Sequence, residues 1–158
     1  MVPETTMAMA QYRGTEVHKA CAAYALKLFY SLSPEYTGYF QSFQRFFDKY
    51  VEEVILVEKK LEDSVYGFKG TLDFYGRLNT LGMALLDWKT PLAIYKSWRL
   101  RMAAYNQLLH VDKKQTDVVA ALQLDPNGGI PKMTRYEGTS AQDFNIFLGL
   151  LNAHHYFN

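Results

Sequence analysis

Four histidines, one cysteine and scattered carboxylates are the residues of this 158-residue chain that could make or break bonds. The histidines are His18, His110, His154 and His155. Neighbours on a helix point about 100° apart, so His154 and His155 do not chelate one ion from adjacent positions. No Glu-x-x-His is present to build a di-iron bundle, and no His-Glu-x-x-His to build a zinc hydrolase. Cys21 falls on an apolar stripe and reads as a small core residue, not a nucleophile. Gly128-Gly129 has no Lys-Ser or Lys-Thr after it, which a phosphate loop requires. Glu52-Glu53 sits in a charged, solvated stretch with nothing beside it to raise a pKa. The expectation is a protein that is not an enzyme, with no catalytic residues, no metal and no cofactor.

Charge placement is the remaining chemical signal. From Pro34 to Asp63 the chain carries four basic and seven acidic residues; from Trp88 to Lys114 it carries six basic residues and only Asp112 acidic. On a helix, Lys89, Lys96 and Arg99 share one side, opposite Trp98, Met102 and Tyr105. A basic stripe backed by an aromatic core is what phosphate contact needs. Arg101, with Arg13, Lys19 and Lys27 nearer the N-terminus, completes the candidate phosphate-binding set. The overall charge of +1 argues against coating free nucleic acid by electrostatics alone.

The elements that must position these residues read as helices. Tyr36, Phe40, Phe43, Phe47, Tyr50, Val54, Val57 and Leu61 recur at alternating gaps of four and three, which predicts one long helix over 34–61. Val17, Cys21, Tyr24 and Leu28 predict an earlier helix from Thr15. Phe74, Leu78, Leu81, Leu85 and Trp88 predict a third over 71–88, with Gly76 and Gly82 permitting close helix contacts. Pro91 to His110 predicts a fourth. Asp112 with Gln115 resembles a capping box and predicts a fifth, ending near Leu124. Asp125 to Ser140 reads as a loop, and Thr139 or Ser140 as the cap of an apolar last helix. Residues 1–14 read as a flexible arm. The expected fold is all-α, a long-helix bundle with an N-terminal helical arm: arm and first helix over 1–33, bundle over 34–158.

An apolar content of 49% excludes general disorder, and 12 Tyr, 10 Phe and 2 Trp suggest tight packing or a large interface. The N-terminal stretch does not read as a signal peptide, and no apolar run approaches the roughly 20 residues that cross a bilayer. Two resemblances follow. AYALKLFYSLSPEYTGYFQSF, Ala23 to Phe43, looks like the corner between the B and C helices of globins. Haem binding would imply a proximal histidine in the window from Pro91 to Leu108, where there is none. In its long helices, arm and Tyr-rich composition the chain resembles the major coat proteins of filamentous and rod-shaped archaeal DNA viruses. That resemblance implies a self-assembling capsid subunit, in a helical filament around double-stranded DNA held through its backbone. It also implies copies of the chain or a paralogous coat subunit as partners, with a lipid envelope possible in some virions. Location would be the virion, or otherwise the cytoplasm. The alternatives are a globin-like or bundle-type small-ligand carrier without haem, and a helical protein-interaction adaptor.

Overall fold

A computed structural model describes residues 4–136 and 140–158. The order of elements is α1 (Glu4–Ala25), α2 (Thr37–Tyr50), β1 (Val51–Asp63), β2 (Phe68–Leu78), β3 (Gly82–Lys89), α3 (Ser97–Val111), β4 (Val118–Gln123), β5 (Lys132–Arg135) and α4 (Ser140–Phe157). The five strands form one mixed sheet in the order β1-β2-β3-β4-β5. The expected all-α bundle is therefore corrected to an α/β fold.

Each mistaken helix has a local cause. The spacing that predicts a helix over 34–61 is genuine as far as Tyr50, where Val51 turns extended at φ −82°, ψ 116°. Beyond it Val54 and Val57 are β-branched and pair with β2. Register shifts between Val51 and Glu53 and between Val54 and Leu56 break the two-residue alternation that would have marked a strand. The predicted third helix is the β2–β3 hairpin, with Thr80 (φ 65°) and Gly82 (φ 89°) left-handed at its turn. Gly76 holds no helix contact; a Cβ there would meet the Glu53 carbonyl oxygen across the bulged ladder. The predicted fifth helix is β4, VVAALQ, all six residues buried between β3 and β5. A strand covered on both faces reads as a continuous apolar run, which periodicity alone cannot tell from helix. The fourth helix exists but begins at Ser97, and the expected 125–140 loop contains β5. The last helix is present as α4.

The expected flexible arm is mostly α1; its first three residues lie outside the described part, as does Thr139, one of the proposed caps. α1 joins the core: Val17 and Cys21 are fully buried with Phe43 and Phe46 of α2 and Phe74, Leu86 and Trp88 of the sheet. The opposite face carries α3, with Trp98, Met102 and Leu109 packed on Leu72, Tyr75, Leu85 and Val119. α4 lies against α3, and its Phe144 and Phe147 meet Phe68 at ring separations of 6.3 and 4.9 Å. Among the described residues no helix is long and apolar enough to cross a membrane.

The parallel pair β3–β4 is joined through α3, and β2 pairs antiparallel with both β1 and β3. The β2–β3 ladder stops at Phe74↔Leu86, while β2 continues along β1 to Phe68 and β3 continues along β4 to Lys89. The two central strands therefore fork. The loop that closes this end is held close: a Cβ on Gly38 would overlap the Pro126 carbonyl. Gly38→Ala is expected to cost about 1–3 kcal/mol by overpacking, read as a lower urea midpoint with unchanged slope.

Candidate metal centre at the fork of the sheet

Into the fork project Asp73 from β2 and Asp87 and Lys89 from β3. All three are buried. Charged groups at such depth persist only when paired or coordinating. The Trp88 N–H donates to Asp73 Oδ2 at 2.8 Å, bridging the divided strands by a side chain where the ladder has ended. Lys89 Nζ lies against Asp87 Oδ2 and 5.2 Å from the centre of the Trp98 ring.

α1 adds His18 from the other layer. Its Nε2 is 2.6 Å from the Trp88 carbonyl oxygen, an acceptor only, so Nε2 carries the proton. The lone pair of Nδ1 then faces Asp73 Oδ1 at 3.6 Å. Burial lowers the imidazole pKa, with the charges of Lys89 and Arg101 adding to it and Asp87 opposing. A neutral ring whose far nitrogen is anchored to a backbone carbonyl is the form in which histidine binds a metal.

Glu58 enters from β1. Val57↔Phe74 and Lys59↔Leu72 place it opposite Asp73 in the ladder. It holds a left-handed φ of 49°, which costs a side chain-bearing residue roughly 1–2 kcal/mol. One carboxylate oxygen each from Glu58 and Asp73 and one nitrogen of His18 lie within 4.8 Å of one another. The carboxyls repel: Asp73 is pushed well up by burial and then by Asp87, and Glu58 is raised by desolvation and by Asp87. Asp87 settles low against the opposing effect of its own burial, held by hydrogen bonding with Asp73 and by Lys89. A divalent cation fits this donor set. It would lie between an imidazole lone pair and carboxylate oxygens that otherwise face one another unfavourably. One nitrogen and several hard oxygens suit Mg²⁺ or Mn²⁺ better than a thiolate-seeking ion.

The sequence-predicted phosphate ligands are divided between layers. Lys89 is in the fork itself. Lys96, Arg99 and Arg101 lie along the first turns of α3, where Arg99 Nε meets Asp143 Oδ2 of α4 at 3.4 Å. Arg13 sits on α1 with its guanidinium over Tyr39, Lys19 pairs with Glu16 at 3.5 Å, and Lys27 follows the end of α1. Cys21 is buried and its thiol is pushed well up by burial, so it offers no nucleophile. Sequence reasoning passed over Asp73, Asp87 and Glu58 and set His18 aside. The available signal was a lone carboxylate inside each of two apolar stretches, TLDFY and MALLDWK, the second followed two residues on by a lysine.

No protein-family model matches this sequence, and no curated protein matches it. The fold is similar to that of a crystal structure from Eubacterium rectale named "putative exonuclease", with a TM-score of 0.57 and 10% identity. The match covers 87% of this chain and 64% of that one, so this chain spans under two thirds of its neighbour's length. At that identity the likeness shows the α/β fold alone.

Proposed function

We propose that this protein is a divalent-metal-dependent phosphodiester hydrolase acting on nucleic acid. The observation that carries the reading is the meeting, at the fork between β2 and β3, of Asp73, Asp87 and Lys89 with the His18 lone pair. His18, Glu58 and Asp73 would hold the ion, with Asp87 hydrogen-bonded to Asp73 beside them. Such an ion, when bound, supplies Lewis-acid polarisation of a phosphoryl oxygen and acidifies a coordinated water. His18 keeps its lone pair on Nδ1 because Trp88 occupies the proton on Nε2. Lys89, held by Asp87 and the Trp98 face, would stabilise charge that grows on a phosphate beside it during displacement. Lys96, Arg99 and Arg101 extend positive charge outward along α3. The name of the structural neighbour agrees with a nucleic-acid substrate. The coat-subunit expectation rested on an all-helical architecture and a Tyr-rich composition, and the α/β fold removes the first of these supports.

The reading is tested by incubating single- and double-stranded DNA and RNA with the protein and Mg²⁺ or Mn²⁺. Nucleotide release that EDTA abolishes is expected; no hydrolysis of any of the four would sink it. Cation affinity should also depend on pH in one direction. Asp73 carries a raised pKa and must release its proton to solvent as the ion binds, whereas the pKa of His18 is lowered and favours the neutral ring. Calorimetric titration with Mn²⁺ is therefore expected to show proton release, and affinity climbing with pH above the ordinary carboxylate range of about 4. An affinity flat across that range contradicts the assignment of Asp73 as a ligand.

A further inference from the structure

Between the start of β2, α3 and α4 runs a groove beside the fork, with a hollow of about 330 Å³. Phe68, Leu100, Ala104, Phe147 and Leu150 make its floor and walls apolar. Lys69 and Arg101 stand at its rim and form no ion pair among the described residues. It opens along α3 into a second hollow of about 520 Å³, which shares Ser97 and Leu100 and brings in Lys96 and Arg99.

Two residues join this groove to the reaction centre. Tyr105 lines it and packs on Gly70, three residues before Asp73, so closely that a Cβ on Gly70 would lie 2.7 Å from the ring. Burial and then the negative charge of Asp87 push the Tyr105 hydroxyl up to about 12. Arg101, also in the lining, acts electrostatically on His18.

Resting on the hydrolase reading above, we propose that this groove seats an unpaired base next to the phosphate held at the fork, so that the substrate is a single strand. An intact duplex presents phosphate and sugar at its surface and keeps base faces stacked inside, which leaves an apolar floor without a partner. An unpaired base offers a flat apolar face, and its backbone offers charge to Lys69 and Arg101 at the rim. The reading also accounts for two of the apolar side chains that α4 leaves exposed: Ile146 and Leu150 line the two hollows.

The test is fluorescence anisotropy of a 3′-labelled deoxyoligonucleotide of about twelve bases, with Ca²⁺ in place of a catalytic ion, against a blunt duplex of the same sequence. The single strand is expected to bind roughly tenfold or more tightly, in line with the worth of one stacked base. Leu150→Glu, an exposed position, should remove most of that preference and leave Mn²⁺ affinity unchanged; Leu150→Phe should restore it. Arg101→Ala should weaken the strand and reduce the salt slope by about one. Equal affinity for duplex and strand, or single-strand affinity unmoved in Leu150→Glu, overturns the groove assignment. Loss of cation binding in the unaltered protein overturns the hydrolase reading instead, so the two failures are told apart.

Discussion

Asp73→Asn is expected to melt at a higher temperature than the parent protein when no divalent cation is present, and to hydrolyse nothing. The two effects share one cause. Asp73 is buried beside Asp87, and its carboxyl binds protons more tightly in the folded chain than in the unfolded one. A raised folded pKa contributes stability that is full below the unfolded value of about 3.9 and is lost as pH rises through the folded value. As pH rises above the unfolded value, keeping this acid buried therefore weighs increasingly on the metal-free fold. Asparagine removes the charge and keeps an oxygen to accept the Trp88 N–H. For a chain of this size each kcal/mol recovered should appear as about 2–4 °C. The same change takes away an anionic ligand, so Mn²⁺ should no longer raise the melting temperature and turnover should fall by at least about a thousandfold, with several kcal/mol of barrier restored. Lower stability in the metal-free variant, or retained turnover, would show that Asp73 is a structural acid.

Lys89→Met should leave cation binding measurable while reducing kcat by about 10²–10³, the usual loss when one preorganised donor to a developing oxyanion is removed. Methionine retains an apolar stem against Trp98 and loses only the ammonium. A second readout separates catalysis from packing. Lys89 helps hold the Asp87 carboxyl low, so its removal should send Asp87 upward and carry the acidic limb of the pH–rate profile to higher pH. Asp87 would also be left buried without its ion-pair partner, a situation that commonly costs about 3–5 kcal/mol, and urea denaturation should show a loss that shrinks as Asp87 takes up a proton at lower pH. Parent-like kcat with an unmoved acidic limb would remove Lys89 from the reaction.

The last helix was legible from the apolar stretch after Ser140, and α1 only from Thr15 onward, because residues 4–14 show no apolar period and read as an arm. The sheet was not, and the reasons lie in particular residues. β1 bulges twice, so Val51, Val54 and Leu56 do not alternate cleanly with the charged residues around them. The β2–β3 hairpin happens to place Phe74, Leu78, Leu81, Leu85 and Trp88 at helical intervals, although three of those intervals cross or adjoin a turn held by Thr80 and Gly82. β4 is buried at every position and carries no period at all. Once 71–88 is taken as a helix, Asp73 and Asp87 become two unrelated acids; on a hairpin they fall on neighbouring strands, each one residue past the last pair of the β2–β3 ladder. The basic stripe did lead to Lys89, but as a phosphate contact on a solvated helix, not as a buried ammonium paired with a carboxylate. His18 was discounted because a lone histidine on a helix usually does nothing, and its partners come from strands that had not been recognised.

One consequence of the fork concerns cohesion. His18, Glu58 and Asp73 belong to the first helix, the outer strand and the strand beside it; the β1–β2 ladder ties the two strands at this end, but no backbone ladder ties the helix to either. An ion shared among them would rivet the helix to the sheet. Occupancy would then govern how firmly α1 is clamped to the sheet, and a vacant centre would loosen the very helix that supplies its nitrogen.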